Sequence, residues 1–325
     1  MCTAISDHSS PSHLFGRTLD LECSYGEQNV ITPRAFAFDF LYEPPQPRHL
    51  ALIGTAHILN DRPLYYDAVN EAGLAIAALN FPSLAVYHAP RAGAHNVTSF
   101  ELIPWLLGQC ETLDDTKRLL HDTVITSDQA ADDLPATPLH WLIADAHGAV
   151  TVESAKEGLK LYDNAVGVLT NAPDFPYHMT HLADFSRLDS AFLKNSLCPS
   201  IDLPLYSRGM GALGLPGDPS SASRFVRAVF AKYHTLPDTD ELAPVSRFFH
   251  VMDTVAQPRG LAITEDGRPV FTVYTSCIDT AQGIYYFTTY DCRRIRAARL
   301  HSADLENGAL TVLPMQSDEN VAYLN

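Results

Sequence analysis

Cys2 directly follows the first methionine in the sequence Met1-Cys2-Thr3-Ala4-Ile5. Methionine is usually removed when the next residue is small, and its removal here would leave a thiol and a free α-amine on one residue. In model peptides an α-amine titrates at pH ~7.7–8.0, so near neutral pH part of it can accept the thiol proton. The position therefore predicts a nucleophile that carries its own base; the plain alternative is a cysteine that frays with the chain end.

An arginine and an aspartate follow on the next apolar run, in Phe15-Gly16-Arg17-Thr18-Leu19-Asp20. A guanidinium beside a thiol favours the thiolate, and a carboxylate can orient an amine. Residues three apart on a regular strand point to opposite faces, so a bulge or local twist is needed to bring both groups to Cys2. The alternative is a surface pair near the end of a hairpin.

Two asparagines, Asn80 and Asn171, each end a predicted strand, and each stands two residues before a proline. Asparagine is common before turns for local reasons. A side-chain amide and a backbone N–H can also form an oxyanion hole, in which one donor is typically worth ~10²–10³ in rate. The two positions are therefore candidate oxyanion donors.

Arg224 lies in the first turn of a predicted helix, where a positive charge opposes the helix dipole. This placement indicates a specific anionic partner, with a surface arginine as the alternative. The glycines of 209–217 precede this helix, but no Gly-Lys-Ser/Thr follows them. A structural loop that leads to a cap at Ser221 therefore fits better than a phosphate-binding loop.

Composition excludes several classes of protein. The 325 residues are 46% hydrophobic and 18% charged, with a net charge of −16, which argues against nucleic-acid partners and anionic membrane surfaces. No secretory signal and no membrane-spanning run is apparent. The 6 cysteines and 14 histidines show no metal-ligand spacing. We therefore expect no metal, no other cofactor, reduced thiols and a cytoplasmic location.

Strand-like runs occur in blocks, with helical segments between them. The predicted strands are Cys2–Ile5, His13–Leu21, Val30–Thr32, Leu50–Ala56, Leu74–Leu79, Leu139–Ala144, Val150–Ser154, Leu159–Tyr162, Val166–Thr170, Val270–Ile278, Gly283–Tyr290 and Ile295–Leu300. The predicted helices are Leu102–Leu107 after a capping box at Thr98–Glu101, Thr112–Asp122, His178–Ala191, Ser221–Tyr233 and Glu241–Ala256. Strand blocks without βαβ alternation indicate an α+β layered fold. No linker interrupts the pattern, so a single domain over residues 1–325 is expected.

Motifs along nearly the whole chain resemble one family. They are Met1–Ile5, Phe15–Glu22, Asn70–Leu74, Leu79–Pro82, Leu139–Trp141, Gly167–Asn171 and Tyr274–Cys277. Together they resemble the choloylglycine hydrolases, the family of bile salt hydrolases and penicillin V acylases among the N-terminal nucleophile hydrolases. The resemblance implies a four-layer αββα sandwich of two stacked antiparallel sheets flanked by helices.

The resemblance also implies roles for six residues. Cys2 would be the nucleophile and, through its α-amine, the base, with Asp20 holding that amine and Arg17 against the thiol. Asn171 would give its side-chain amide, and Asn80 its backbone N–H, to the oxyanion hole. Arg224 matches the remaining active-site arginine of the family.

The implied reaction is hydrolysis of glycine- or taurine-conjugated bile salts through a thioester. Asn80 favours this over penicillin V, because penicillin V acylases often carry tyrosine there; the segment Tyr206–Asp218 also resembles the bile salt branch. The alternatives are a penicillin V acylase or another N-acyl amide hydrolase, a non-catalytic binding protein of the same fold, and a hydrolase that uses an internal cysteine. Residues Leu193–Tyr206 match the family's tetramer loop, which implies a homotetramer.

An apolar pocket must hold the steroid of such a substrate. Loops at Leu59–Tyr66 and Ser127–Pro138 are the expected walls. The corresponding expected substrate contacts are Leu59, Tyr66 and Leu134.

Overall fold

The computed structural model describes residues 1–9, 12–131, 135–192, 194–236, 243–315 and 323–324. The strands are β1 (Cys2–Asp7), β2 (Leu14–Leu21), β3 (Gln28–Thr32), β4 (Leu52–Leu59), β5 (Arg62–Asn70), β6 (Ala75–Asn80), β7 (His95–Thr98), β8 (Thr123–Thr126), β9 (Leu139–Asp145), β10 (Gly148–Ala155), β11 (Gly158–Asp163), β12 (Val168–Leu169), β13 (Ala262–Ile263), β14 (Pro269–Asp279), β15 (Ile284–Thr289), β16 (Arg296–Arg299) and β17 (Thr311–Pro314). The α-helices are α1 (Leu102–Leu107), α2 (Leu113–His121), α3 (Phe175–Leu182), α4 (Ser221–His234) and α5 (Ala243–Asp253).

Most strands belong to two antiparallel sheets. The first has the order β12-β1-β2-β14-β15-β16, with β13 paired to β14, and the second has the order β11-β10-β9-β6-β5-β4-β3-β17. A separate pair, β7 and β8, is parallel. Neighbours in each main sheet run antiparallel, as expected for strand blocks that lack helical crossovers.

Helices cover the outer face of each sheet. α4 and α5 pack on β1, β2, β12 and β14 of the first sheet, whereas α1 and α2 pack on β5, β6, β9 and β10 of the second. One apolar core lies between the sheets and extends beneath α4 and α5, and a second lies beneath α1. The sheets also meet through polar groups, since Tyr285 of β15 donates to the Asp67 carboxylate of β5 at 2.7 Å. The predicted αββα sandwich is confirmed.

The N-terminal hairpin is confirmed, and it sets the register of the catalytic candidates. Cys2 stands opposite Leu19, and Ala4 stands opposite Arg17. A Cβ at Gly16 would overlap the Ser276 carbonyl oxygen of β14 and approach Phe248 Cε1 of α5 to 2.9 Å. The absence of a side chain at Gly16 therefore lets α5 rest directly on β2.

The expected loop at Leu59–Tyr66 is wrong, because this segment is a tight β-hairpin between β4 and β5. Asn60 and Asp61 adopt positive φ angles of 50° and 63°. Two left-handed residues make the turn that matches the twist of the flanking strands. Arg62–Asn70 therefore pairs with β4, although Pro63 and the charged ends hide its strand character in the sequence.

The capping box predicted at Thr98–Glu101 is also wrong, although the helix after it is present. The Thr98 hydroxyl donates to the Glu101 carboxylate at 2.9 Å, and Glu101 makes no side-chain cap. Glu101 instead accepts from the backbone N–H of Leu41 at 3.1 Å. A capping box does form at Thr112 and Asp115, where it begins α2.

Helix boundaries differ from the sequence predictions at three places. α3 begins at Phe175, because Asp174 caps it, and a 3₁₀ turn at Ala183–Phe185 ends the helical segment before Ala191. The cap of α4 is Ser220, one residue earlier than expected. α5 ends at Asp253; Glu241 lies outside the described residues. Among the helices of the described ranges, none is long and apolar enough to cross a membrane.

Buried His13 makes stability depend on acid. Its ring nitrogens bond Ser6 Oγ at 2.8 Å and Thr280 Oγ1 at 3.0 Å, and burial, together with neighbouring His8, lowers the pKa of His13 from 6.5 to about 3. In the unfolded chain the His13 ring binds a proton below pH 6.5, whereas in the folded protein it stays neutral until the pH approaches 3. The contribution of neutral His13 to the free energy of unfolding is therefore complete above pH 6.5 and is lost as the pH falls toward the folded pKa. The free energy of unfolding then falls with a limiting slope of about 1.4 kcal/mol per pH unit.

We expect His13→Gln to reduce this acid slope. Urea unfolding between pH 7 and pH 4 measures it, with His121→Gln on the exposed face of α2 as the matched control. An unchanged slope in His13→Gln would contradict the assignment.

Candidate active site

Three of the predicted residues meet at the start of β1. Cys2 is buried, and its N–H donates to Asn171 Oδ1 at 2.8 Å. One guanidinium nitrogen of Arg224 donates to the Cys2 carbonyl and, at 2.7 Å, to Thr3 Oγ1, while the other donates to Asn171 Oδ1 at 2.6 Å. Asn171, which accepts the Cys2 N–H, and Arg224, which donates to the Cys2 carbonyl, thus hold both main-chain polar groups of Cys2.

Asn80 joins the cluster through its carbonyl group. It is the last residue of β6, as predicted, and its carbonyl oxygen accepts from Asn171 Nδ2 at 2.7 Å. An amide nitrogen carries two hydrogens. Asn171 therefore has one N–H bound to Asn80 and a second N–H that is able to meet an oxyanion.

Arg224 was expected to have an anionic partner, but its hydrogen-bond partners are neutral. Besides Cys2, Thr3 and Asn171, it donates to the Pro219 carbonyl at 3.0 Å. Complete burial lowers the pKa of Arg224, and the neighbouring Asp20 and Cys2 oppose this shift electrostatically. The arginine is satisfied by fixed oxygens rather than by an ion pair, so it acts as a rigid clamp.

Arg17 projects from β2 into the space between the sheets. Its guanidinium donates to the carbonyls of Thr18, Tyr66 and Ala78, while Nη2 is buried with no hydrogen-bond partner among the described residues. Burial works against the charge, but the negative potential of groups that include Cys2 and Asp67 outweighs it and raises the pKa of Arg17. Nη2 is therefore a buried donor without a partner of its own, on a side chain whose charge the neighbouring Cys2 favours.

Asp67 supplies a buried counter-charge near Arg17. Its carboxylate accepts from Tyr274, from Ser276 Oγ at 2.9 Å and from Tyr285, and Ser276 Oγ in turn accepts the Arg17 N–H at 3.1 Å. Burial raises the pKa of Asp67, opposed by Arg17 and by the three hydroxyl groups. The carboxylate thus ties the first sheet to the second directly behind Arg17.

Asp20 lies on the other face of β2 from Arg17. The register between β1 and β2 is continuous, so the bulge considered between Arg17 and Asp20 is absent from β2; the irregularity lies in β14, between Thr272 and Tyr274. The Asp20 carboxylate accepts from Thr18 Oγ1 at 3.1 Å and Thr272 Oγ1 at 2.6 Å. Its main chain, rather than its carboxylate, bonds Met1: the Met1 amine donates to the Asp20 carbonyl at 2.6 Å.

The three expected substrate contacts differ in where they lie. Tyr66 is the extra residue of a β-bulge in β5, since Thr55 pairs with Asp67 and Ala56 with Tyr65. Its carbonyl holds Arg17, and its half-buried side chain packs on the core between the sheets. Leu59 is half-buried at the end of β4, and Leu134 lies outside the described residues.

The other chemical candidates of the sequence do not assemble into sites. No group of three or more metal-binding side chains occurs within the described residues. The six cysteines are free, and Cys110, Cys277 and Cys292 are buried. Burial raises the pKa of Cys110 to about 11, which disfavours a thiolate there.

Sequence reasoning missed the groups that surround Asn171 and Asp20. Ser221 and His178 bond the main chain of Asn171, and Thr272 bonds the carboxylate of Asp20. The available signal is the spacing of Ser221 and Arg224, which lie one helical turn apart, but the local sequence at Ser221 indicates only a helix cap.

Comparison with known proteins identifies the family. Residues 2–322 match the family of linear amide C–N hydrolases named the choloylglycine hydrolase family. The chain is 43% identical over 325 residues, the whole of both proteins, to a bile salt hydrolase/transferase of Lactiplantibacillus plantarum. It is 34% identical to a bile salt hydrolase/transferase of Bifidobacterium longum, over 95% of this chain and 98% of that protein. The chain therefore belongs to the choloylglycine hydrolase family and is a hydrolase.

Solved structures agree with this assignment. The C2A mutant of the conjugated bile acid hydrolase from Clostridium perfringens matches with a TM-score of 0.92 and 29% identity over all of both chains. Penicillin V acylase from Agrobacterium tumefaciens matches with a TM-score of 0.77 and 19% identity over 99% of this chain and 94% of that one. At that identity the second match shows a shared fold alone.

Proposed function

We propose that this protein hydrolyses the amide bond of glycine- or taurine-conjugated bile salts, with Cys2 as the nucleophile. The observation that carries the proposal is the hydrogen-bonded cluster of Cys2, Asn171, Asn80 and Arg224 at the start of β1. Full-length relatives named as bile salt hydrolase/transferases support the choice of substrate.

The reaction would begin with attack of the Cys2 thiolate on the amide carbonyl carbon. The second Nδ2 hydrogen of Asn171 would bind the oxyanion, and Arg17 would hold negative charge through its unbonded Nη2. Collapse breaks the C–N bond, the α-ammonium of Cys2 gives a proton to the departing glycine or taurine, and the acyl group remains as a thioester. Water, deprotonated by the same amine, then releases the free bile acid.

Removal of Met1 would create the base where it is needed. The Cys2 nitrogen is now an amide that donates to Asn171 Oδ1 at 2.8 Å. As a free amine it would keep that acceptor, and loss of Met1 would free the Asp20 carbonyl that the Met1 amine now occupies. A chain that retains Met1 would have no base on the nucleophile.

A parallel assay tests the proposed function. The purified protein is incubated with glycocholate, taurocholate and penicillin V, the released amine or acid is quantified, and the intact mass reports Met1. Rapid release of glycine or taurine with little penicillin turnover is the expected result. Preferred cleavage of penicillin V would replace the proposal with its alternative, an acylase of the same family, and no turnover by a protein that lacks Met1 would reject both.

We further propose that the protein is a homotetramer. The segment 194–206 exposes large apolar side chains, including Leu197 and Tyr206 at 85% each, and exposed apolar surface of this kind favours association. Leu193, where the predicted assembly segment begins, lies outside the described residues. Sedimentation equilibrium is expected to give four times the mass of the chain, and a monomer mass at micromolar concentration would contradict the proposal.

A further inference from the structure

Asn171 lies beyond the end of β12, so no strand pairing of the first sheet holds its main chain. β12 ends at Leu169, two residues before Asn171, so the strand ladder with β1 stops short of it. A buried main-chain N–H or C=O without a partner is costly. The orientation of this residue therefore depends on groups from outside the sheet.

Ser221 supplies the first of these groups. Its Oγ accepts the N–H of Asn171 at 2.8 Å and lies 2.9 Å from both the Asn171 carbonyl oxygen and Thr170 Oγ1. The Ser221 carbonyl in turn accepts from the Thr170 hydroxyl at 3.1 Å. The first residue of α4 thus binds the two residues at 170 and 171 through main chain and side chain together.

His178 supplies the second. Its Nε2 lies 2.8 Å from the Asn171 carbonyl oxygen, and its ring stacks on Phe225 with centroids 4.8 Å apart. Burial lowers the pKa of His178 to about 4, so the ring is neutral near neutral pH. Its Nδ1 is buried without a partner among the residues described, which fits the tautomer that carries the proton on Nε2 and donates it to Asn171.

The same turn of α4 also controls the side chain of Asn171. Residues three apart on a helix share a face. Ser221 bonds the main chain of Asn171, and Arg224 donates to its Oδ1 at 2.6 Å. Arg224 holds Oδ1 of Asn171, and Asn80 holds one of its Nδ2 hydrogens. The direction of the second Nδ2 hydrogen therefore depends on where the main chain of Asn171 is fixed.

We propose that Ser221 and His178 are positioning residues of the oxyanion hole, which hold the main chain of Asn171 so that its second Nδ2 hydrogen faces the carbonyl attacked by Cys2. Neither residue touches the substrate in this arrangement; both act through Asn171. The inference rests on the proposed function, because it takes the oxyanion role of Asn171 from it. A displacement on the order of 1 Å at such a donor can cost ~10² in rate.

Ser221→Ala tests the proposal. It removes the acceptor of the Asn171 N–H, and we expect kcat for glycocholate to fall by ~10–10² with KM changed less than about twofold. Ser221→Thr, which keeps the hydroxyl, is expected to recover most of the loss. Ser223→Ala is the matched control, because Ser223 lies on the same turn and its Oγ bonds Asp218 at 2.6 Å instead.

A double-mutant cycle with Asn171→Ala separates positioning from general structural damage. If Ser221 acts through Asn171, adding Ser221→Ala to Asn171→Ala leaves kcat unchanged within about twofold. An equal loss of kcat in both backgrounds, or wild-type kcat in Ser221→Ala alone, would overturn the proposal. Should Ser221→Ala fail to fold, as judged by circular dichroism, the same cycle with His178→Phe decides the question.

The cycle also distinguishes failure of the inference from failure of the proposed function. Wild-type kcat in Asn171→Ala alone would reject the oxyanion role itself. An impaired Asn171→Ala beside an unimpaired Ser221→Ala would reject the positioning role alone.

Discussion

Cys2→Ala is expected to lower kcat for glycocholate by at least about 10⁴-fold. In hydrolases whose catalytic groups act as a unit, removal of the nucleophile costs up to ~10⁶ in kcat. The variant keeps the α-amine and the contacts of Asn171 and Arg224 with the main chain of residue 2, because none of them involves the sulfur. Release of glycine from glycocholate by equal amounts of the two proteins measures the effect.

Two controls make this result specific. Cys23→Ser removes an exposed thiol on the segment that follows β2 and is expected to retain wild-type activity. Circular dichroism and thermal unfolding of Cys2→Ala are expected to show a folded protein, since only one buried sulfur atom is lost. More than about 1% of wild-type activity in Cys2→Ala would contradict a mechanism in which the thiol forms the thioester.

Gly16→Ala is expected to cause the largest loss of stability of any single methyl group added to the hairpin. The new Cβ would overlap the Ser276 carbonyl oxygen of β14 and lie 2.9 Å from Phe248 Cε1 of α5. The backbone of β14 cannot yield as a flexible side chain could, so the strands or α5 must separate. A cost of about 3 kcal/mol or more is expected, because overpacking a core and shifting backbone typically costs ~1–3 kcal/mol and occasionally more.

Urea unfolding with equal denaturant slopes measures this cost. Gly217→Ala is the matched control, because no heavy atom of the described residues lies within 4 Å of a Cβ there and its φ is not positive. Since Arg17 follows Gly16 directly and donates its N–H to Ser276, the folded fraction of Gly16→Ala is also expected to lose activity. If Gly16→Ala changes the unfolding free energy only as much as Gly217→Ala does, the close packing of α5 and β14 around Gly16 is contradicted.

Much of the architecture follows from local patterns. The first hairpin, the strand pair at β14 and β15, and the helix that carries Arg224 agree with the strand-like and helical patterns of the sequence. The sequence does not predict β5 for two reasons. Its turn, Asn60-Asp61, adopts positive φ angles without a glycine to signal them, and Pro63 argues against a strand. Thr98–Glu101 matches the sequence pattern of a capping box, but the Glu101 carboxylate accepts a hydrogen bond from the N–H of Leu41, a residue far away in sequence.

The sequence by itself determined the nucleophile candidate, the family and many of the strands and helices, because these depend on residue types and on neighbours a few positions apart. Only the tertiary structure decided what the catalytic candidates touch. Arg224 bonds neutral oxygens instead of an anion, and Ser221 binds Asn171, 50 residues away in the chain. Such contacts depend on which strand ends and helix turns the two sheets bring together. Whether a charged group such as Arg224 is left without an ionic partner depends on its burial, which no local pattern encodes.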